Sequence, residues 1–156
     1  MAGVRGRVAL GAVCALVPLA VLAPLLGRGF ALSYDMVFVP RQDLNPDDIG
    51  LGPALPRSVP SDALVALGTA VLPGDVLQQL VLAATLGLAA LGAGLVLPAD
   101  RPLARCVAAV AYGWNPYVAE RLVQGHWALL VGYAALPWVL RAGAGGSHHL
   151  LTSRRA

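Results

Sequence analysis

The stretch VLQQLVLAATLGLAALGAGLVL, residues 76–97, decides the class of protein to which this chain belongs. It runs for twenty-two residues without a charged side chain. A helix needs about twenty apolar residues to cross the hydrocarbon core of a bilayer, which is about 30 Å thick. The stretch is therefore predicted to be a transmembrane helix.

The composition of the whole chain also favours a membrane setting. Of its 156 residues, 58% are hydrophobic and 12% are charged, and the mean hydropathy is +0.71. A soluble domain has about 25% charged residues. The net charge is only +3, and no basic cluster with interleaved aromatic residues occurs. The sequence therefore predicts a lipid bilayer as partner and gives no support for nucleic-acid binding.

An earlier apolar run, residues 8–26, holds nineteen residues without a charge. Arg5 and Arg7 precede it, so a cleaved signal peptide is the competing interpretation, because signal peptides also begin with basic residues. The run is longer than a usual signal core, and no clean small-x-small cleavage site follows it. We therefore predict an uncleaved spanning helix.

Two shorter apolar runs, residues 103–118 and 127–140, follow the long ones. Each is below the usual span length, so the pair can form either two crossings or a re-entrant hairpin. We predict two crossings. Together with residues 8–26 and 76–97, they give an all-α, polytopic membrane protein with about four transmembrane helices.

An irregular segment, residues 28–75, separates the first two spans and is predicted to lie outside the membrane. Five prolines between residues 28 and 60 forbid a long helix there. Irregular backbone cannot face lipid, because its amides would lack hydrogen-bond partners. Residues 34–39 are predicted to be a short extended piece. Ser61-Asp62 is predicted to begin a short interfacial helix, residues 63–72, with Ser61 as its cap.

The distribution of arginine predicts the orientation, since cytoplasmic loops carry an excess of positive charge. A cytoplasmic N-terminus places seven arginines inside and four outside, which favours an even number of crossings with both termini in the cytoplasm of a multi-pass cell-membrane protein. The irregular loop and residues 115–126 then share the outer face, and residues 143–156 form a disordered cytoplasmic tail. The inside set is Arg5, Arg7, Arg101, Arg105, Arg141, Arg154 and Arg155, and the outside set is Arg28, Arg41, Arg57 and Arg121.

Small residues recur at a spacing of four in the stretch 76–97, as the pairs Ala83/Gly87 and Ala90/Gly94. Such pairs allow another helix to approach closely. Ordinary alanine and glycine content explains the pattern equally well.

No metal site is predicted from the sequence. Cys14 and Cys106 both fall inside apolar runs, where cysteine is usually a small buried hydrophobe, and they form no metal-binding or redox spacing. The acids around Asn45-Pro46 are interpreted as turn residues, because that pair is typical of turns. These acids are Asp43, Asp47 and Asp48.

The run WNPYVAERLVQGHW, residues 114–127, lies in the predicted outer turn between the last two spans. Residues 8–140 follow the order of a span, an acidic outer loop, a short helix and a second span. With the run at Asn115 to Trp127, this order resembles the N-terminal part of the GT-C superfamily. Members are multi-pass glycosyltransferases that use polyprenyl-phosphate sugars. The resemblance is strongest to the large actinobacterial membrane proteins that act in cell-envelope glycan assembly.

The resemblance implies a site on the outer face, with a polyprenyl-phosphate sugar as donor and a glycan as acceptor. In that superfamily an acid of the first outer loop acts as general base on the acceptor hydroxyl or helps to hold a metal, and Asp35 occupies that place. A carboxylate suits the role because it can accept a proton in the transition state. Glu120, Arg121 and His126 are the implied substrate-binding residues, and of these Arg121 or His126 can supply the cationic donors that stabilise a leaving phosphate.

Each of these residues also has a plain structural interpretation. Asp35 can end an extended piece in water. Glu120 and Arg121 can belong to a solvated helix turn that begins with the Asn-Pro pair at residues 115–116. His126 can be an ordinary interface residue beside a tryptophan.

The chain departs from the superfamily in its number of spans. Members commonly have about eight or more, whereas this sequence predicts about four followed by a polar tail. The chain is therefore expected to be a fragment of such an enzyme or to work with a partner membrane chain. The alternative, from another functional class, is a small non-catalytic membrane subunit or scaffold that packs against a larger complex. A transporter fragment has less support, because the two long apolar runs contain no ionisable residue.

Overall fold

The part of the chain that the structure describes is all-helical. The computed structural model describes residues 2–25, 27, 29–53, 55 and 58–153, with side chains described between residues 4 and 144. No strand occurs in this part, where the β-type pairing is an isolated bridge between Ser33 and Met36. The predicted all-α class is confirmed. The α-helices are α1 (Ala2–Leu22), α2 (Ser61–Thr69), α3 (Gly74–Val96), α4 (Pro102–Gly113), α5 (Pro116–Val123) and α6 (Trp127–Ser153), with short 3-10 turns at Ala23–Leu25 and Pro46–Ile49.

Three helices among the described residues are long and apolar enough to cross a membrane. They contain the predicted spans near residues 8–26, 76–97 and 127–140 almost entirely. Helices of this length and composition indicate a membrane protein. The apolar segments are Val4–Leu25, Gly74–Val96 and Trp127–Ala144.

The predicted span at residues 103–118 is divided in two, so the count of four spans is not confirmed. α4 ends at Gly113 and has 12 residues, which makes it about 18 Å long. That is well short of a hydrocarbon core of about 30 Å. The break has a local cause, because Pro116 has no N–H with which to continue a helix. The Asn115 side chain accepts a hydrogen bond from the N–H of Val118 at 3.1 Å and starts α5 instead.

α3 is the central helix and packs against α1, α4 and α6. Its glycines lie at these contacts. A Cβ at Gly87 would lie 3.5 Å from a carbonyl oxygen of α1, and one at Gly94 would lie 2.6 Å from the Leu10 side chain. A Cβ at Gly92 would lie 3.0 Å from Pro137 of α6. The close helix approach that the small-residue spacing predicts therefore occurs within this chain.

The apolar side chains form two buried clusters, one near each end of α3. The smaller cluster joins Leu10, Ala90 and Ala109 from α1, α3 and α4. Outward-facing positions of α1 remain apolar and exposed, as in Val8 and Leu16, which is compatible with contact to lipid. The larger cluster consists of Leu22, Met36, Phe38, Val65, Leu82, Leu86, Val118 and Leu130.

Polar side chains in the first turns of α3 fasten the loop that follows α1. Gln78 is 1% exposed, and its amide oxygen accepts from the N–H of Ala31 at 2.8 Å. Its amide nitrogen donates back to the Ala31 carbonyl at 2.8 Å. The Gln79 amide nitrogen donates to the carbonyl of Gly27 at 2.8 Å. Buried amides need such partners, so these bonds fix the start of this loop on the bundle.

The short helix of the outer segment differs slightly from its prediction. α2 begins at Ser61 and ends at Thr69, rather than covering residues 63–72. Ser61 is inside the helix, and its hydroxyl donates to the carbonyl of Ser58 at 2.6 Å. Ser61 is therefore not the cap residue.

The structure does not describe the whole C-terminal tail or all the arginines that the orientation count uses. α6 is assigned as far as Ser153. The predicted tail at residues 143–156 extends beyond the described residues, and its disorder stays a prediction. Four arginines of the orientation count, Arg28, Arg57, Arg154 and Arg155, also lie outside the described residues.

Candidate functional site

Asp35 lies in a tight turn of the loop that follows α1. The N–H of Met36 donates to the carbonyl of Ser33 at 2.8 Å and closes the turn. Tyr34 has a φ of 43°, a left-handed conformation that few side chains adopt. The predicted extended piece at residues 34–39 is therefore replaced at its start by a turn, and the turn presents the Asp35 carboxylate to solvent.

His126 lies at the junction between α5 and α6. The predicted start of α5, with Asn115 as cap and Pro116 at the first position, is confirmed. After the helix ends, Gly125 adopts a φ of 79°, and the N–H of His126 donates to the carbonyl of Arg121 at 2.9 Å. The chain reverses here within a few residues, as at many glycine-terminated helices. The imidazole consequently stands immediately before α6.

Main-chain contacts join the turn to this junction. The N–H of Asp35 donates to the carbonyl of Gln124 at 3.2 Å. The Ser33 hydroxyl donates to the carbonyl of Val123. Gly125 packs so tightly that a Cβ there would lie 2.1 Å from the backbone nitrogen of Met36. The seam between the two segments thus depends on a residue without a side chain.

The seam brings together all four residues that the sequence analysis selected. Nε2 of His126 lies 3.2 Å from Oδ2 of Asp35, and Nδ1 of His126 lies 3.0 Å from Nη1 of Arg121. Nη2 of Arg121 lies 3.1 Å from Oε1 of Glu120. The four side chains form one continuous polar chain.

The direction of the hydrogen bonds in this chain follows from the chemistry of arginine. A guanidinium group has donors and no acceptor, so Nδ1 of His126 must accept from Arg121. In a neutral imidazole the other nitrogen then carries the hydrogen, and Nε2 donates to Oδ2 of Asp35. The side chain of Asp35 is 77% exposed. Its second oxygen, Oδ1, receives no hydrogen bond from the described residues and is available to another molecule.

Arg121 contacts the imidazole of His126 at Nδ1, on the side away from Asp35. Both of its terminal nitrogens are used, its Nε is buried without a hydrogen-bond partner, and its guanidinium carbon lies 5.5 Å from the centre of the Tyr117 ring. It does not line the cavities beside Asp35. In this arrangement Arg121 orients the imidazole, and the role of phosphate binding that the resemblance implies stays a prediction.

Asp35 and His126 form a wall between two cavities. The first, which we call the mouth cavity, has a volume of about 470 Å³ and is also lined by Gln42, Ser58 and Asp62. The second has a volume of about 720 Å³ and is also lined by Tyr34, Glu120 and Gln124. The same carboxylate is therefore accessible from two sides.

Asp62 is a second acid of the mouth cavity. Burial raises the pKa of its carboxyl, and the nearby charge of Asp48 adds to the rise, while a hydrogen bond with Ser58 opposes it. A carboxyl with a raised pKa is a candidate for accepting or donating a proton. The sequence identified Asp62 only as a first-turn residue of α2, because nothing local shows that the loop folds back onto Asp35.

An apolar groove continues from the mouth cavity along the bundle, between α3 and α6. Its first part has a volume of about 500 Å³ and shares Val65 and Trp127 with the mouth cavity. Its second part has a volume of about 380 Å³, shares Thr85 with the first and reaches Trp138. A polar mouth that opens into an apolar groove fits an amphipathic molecule with a polar head and a long hydrocarbon chain.

Comparisons of this chain with family models, with curated proteins and with solved structures find no match in any of the three.

Proposed function

We propose that the chain is the N-terminal part of a multi-pass glycosyltransferase of the GT-C kind, which transfers a sugar from a polyprenyl phosphate to a glycan acceptor. One observation carries the proposal. The Asp35–His126 pair stands at a polar mouth that continues into the apolar groove between α3 and α6. The groove suits the polyprenyl chain of the donor, and the mouth suits its sugar phosphate.

In the proposed reaction Asp35 is the general base. Its Oδ1 accepts the proton of the acceptor hydroxyl while the hydroxyl oxygen forms a bond to the anomeric carbon of the sugar. The bond between that carbon and the phosphate oxygen breaks, and polyprenyl phosphate leaves with the electron pair. His126 holds Oδ2 of Asp35 through its Nε2–H, so that Oδ1 faces the acceptor.

The leaving phosphate requires positive charge, and the described part of the mouth cavity has no arginine in its lining. Cationic donors must be in place where negative charge develops. We therefore propose that a partner membrane chain or a further part of the same enzyme adds positive charge to what Arg121 and His126 supply. The predicted number of spans, about four against the eight or more that are common in the superfamily, also favours a partner chain or a further segment.

The bundle geometry also supports a fourth crossing, made by α4 and α5 together. α4 starts beside the first turns of α1, where a Cβ at Gly6 would lie 3.0 Å from Pro102. α5 ends beside the loop after α1, where Asp35 contacts Gln124. The two helices carry the chain from one end of α1 to the other. Their 12 and 8 residues amount to about 30 Å of helix, close to the thickness of the hydrocarbon core.

We propose that the protein lies in the cell membrane with both termini cytoplasmic, and this topology gives a labelling prediction. In a chain without Cys14 and Cys106, a cysteine at Asp43 or at Val123 should react with an impermeant thiol reagent from outside intact cells. A cysteine at Asp100 should react only after lysis, because it lies in the turn between α3 and α4. Labelling of positions 100 and 123 from the same side would contradict the fourth crossing.

Filling the groove tests the proposed donor. Ala84 is exposed and lines the first part of the groove. A phenylalanine there should occupy space that the carrier needs and lower cross-linking by a photoactivatable polyprenyl phosphate about tenfold, equivalent to about 1.4 kcal/mol. The measurement is labelled carrier bound covalently to the purified chain after illumination in detergent micelles.

The matched control is Ala20→Phe, because Ala20 is an exposed alanine of α1 that does not line the groove. Its cross-linking should equal that of the unmodified chain. Equal cross-linking in both variants, or none in the unmodified chain, would contradict the donor assignment and favour the non-catalytic subunit or scaffold.

A further inference from the structure

Another cavity with polar lining residues, separate from the two beside Asp35, lies at the opposite end of the bundle. It has a volume of about 440 Å³ and is lined by arginines from three helices. Arg7 comes from α1, Arg105 from α4 and Arg141 from α6. Leucines complete the wall, among them Leu10 and Leu95. We call this space the arginine cavity, and the proposed function makes no use of it.

Arg105 is the unusual member of the set. It is only 7% exposed, and its Nε donates to the carbonyl of Gly94 at 2.9 Å. Neither ion pair of the described residues includes it, and its two terminal nitrogens have no hydrogen-bond partner there. These two nitrogens are not sealed off from accessible space, so they can receive an anion from the cavity. A guanidinium on a residue that is so little exposed is normally paired with one.

The surroundings supply little compensation for this charge. No aspartate or glutamate is among the residues that line the cavity. Arg141 donates to the carbonyl of Leu95, which, like Gly94, belongs to the last turn of α3. The C-terminal end of a helix carries about half an elementary negative charge. This offsets only a fraction of the positive charge of three guanidinium groups. All three side chains line the same cavity of about 440 Å³.

We propose that the arginine cavity binds the phosphate group of an anionic lipid. Guanidinium groups match phosphate because their donors can bind two oxygens at once. The cavity is also expected at the depth of lipid headgroups, since the charge-free run of α1 starts just after Arg7 and that of α3 ends at Leu97. Basic pockets between transmembrane helices are suited to acidic headgroups. The leucines in the wall can contact the glycerol and the first acyl carbons.

Lipid binding to the full chain tests the proposal. The chain is purified in a neutral detergent, and native mass spectrometry measures the Kd of phosphatidylglycerol, of phosphatidylcholine and of inorganic phosphate. Phosphatidylglycerol should bind at least about tenfold more tightly than phosphatidylcholine. Each of Arg7→Gln and Arg105→Gln should weaken its binding by about fivefold, while Arg105→Lys, which keeps the charge, should weaken it less.

The matched control is Arg101→Gln. Arg101 is exposed at the same end of the bundle but does not line the cavity, so its loss should change the Kd less than twofold. Because Arg105→Gln removes a buried group and can impair folding, the double variant Arg7→Gln/Arg141→Gln changes two exposed side chains instead and should weaken binding about twentyfold. Equal effects of Arg101→Gln and Arg7→Gln, or equal binding of both lipids, would overturn the proposal. Inorganic phosphate binding as tightly as phosphatidylglycerol would identify a soluble anion instead of a lipid.

Discussion

Asp35→Asn is expected to lower the proposed sugar transfer by about 10²–10⁴-fold, the usual contribution of a positioned general base. The amide is nearly the same size as the carboxylate and can still contact His126, so the turn and the seam should persist. It cannot accept the acceptor proton at neutral pH. The measurement is transfer from a radiolabelled polyprenyl-phosphate sugar in membranes that contain the chain, alone and with the proposed partner chain or continuing segment.

The matched control for this variant is Asp43→Asn. Asp43 belongs to the same loop, is exposed and does not line the mouth cavity, so transfer should stay unchanged. Full activity of Asp35→Asn together with a large loss in Asp62→Asn would assign the base to Asp62. That outcome is chemically coherent, because burial raises the pKa of the Asp62 carboxyl.

Gly125→Ala is expected to open the seam and to lower the free energy of unfolding by more than about 3 kcal/mol. The φ of 79° alone costs an alanine about 1–2 kcal/mol. The added Cβ would also lie 2.1 Å from the nitrogen of Met36 and 2.4 Å from the carbonyl oxygen of Ser33, so the outer loop has to move away. Unfolding followed by circular dichroism in mixed detergent micelles measures the change.

Gly50→Ala is the matched control for Gly125→Ala. Gly50 has nearly the same backbone conformation, with a φ of 74°, but a Cβ there meets nothing within 4 Å. Its loss of stability should therefore be limited to about 1–2 kcal/mol. The difference between the two variants isolates the contribution of the seam. If both lose the same amount, the close packing at Gly125 contributes nothing beyond its backbone conformation.

Local signals explain which elements the sequence could predict. Residues 8–26 and 76–97 are long, uncharged and apolar, and such runs have few structural alternatives. The start of α5 was also predictable, since Asn115 and Pro116 are the residue types of a cap and a first helical position. The same two residues end the preceding helix. A run counted only by its hydropathy therefore suggests one span at residues 103–118 where the structure has two helices.

The geometry of the candidate site was not predictable in the same way. Asp35 and His126 are separated by 91 positions in the chain, and their contact depends on how the outer loop folds over the bundle. The arginine distribution predicted both residues on one face, but no periodic pattern encodes a contact of that range. Arg121 was expected at a phosphate. That role stays a prediction. Its contact with His126, which the sequence did not predict, follows from the reversal of the chain at Gly125.

The seam around Asp35 also bears on how this site can change over evolutionary time. Most of it is made by peptide groups, since the contact from Asp35 to Gln124 joins main-chain atoms and Val123 contributes only its carbonyl. Substitutions at Val123 or Gln124 alter what lines the cavities without loosening the joint. The residue that cannot be replaced without opening the seam is Gly125. Distant homologues of this protein are therefore expected to retain this glycine more strictly than the residues around it.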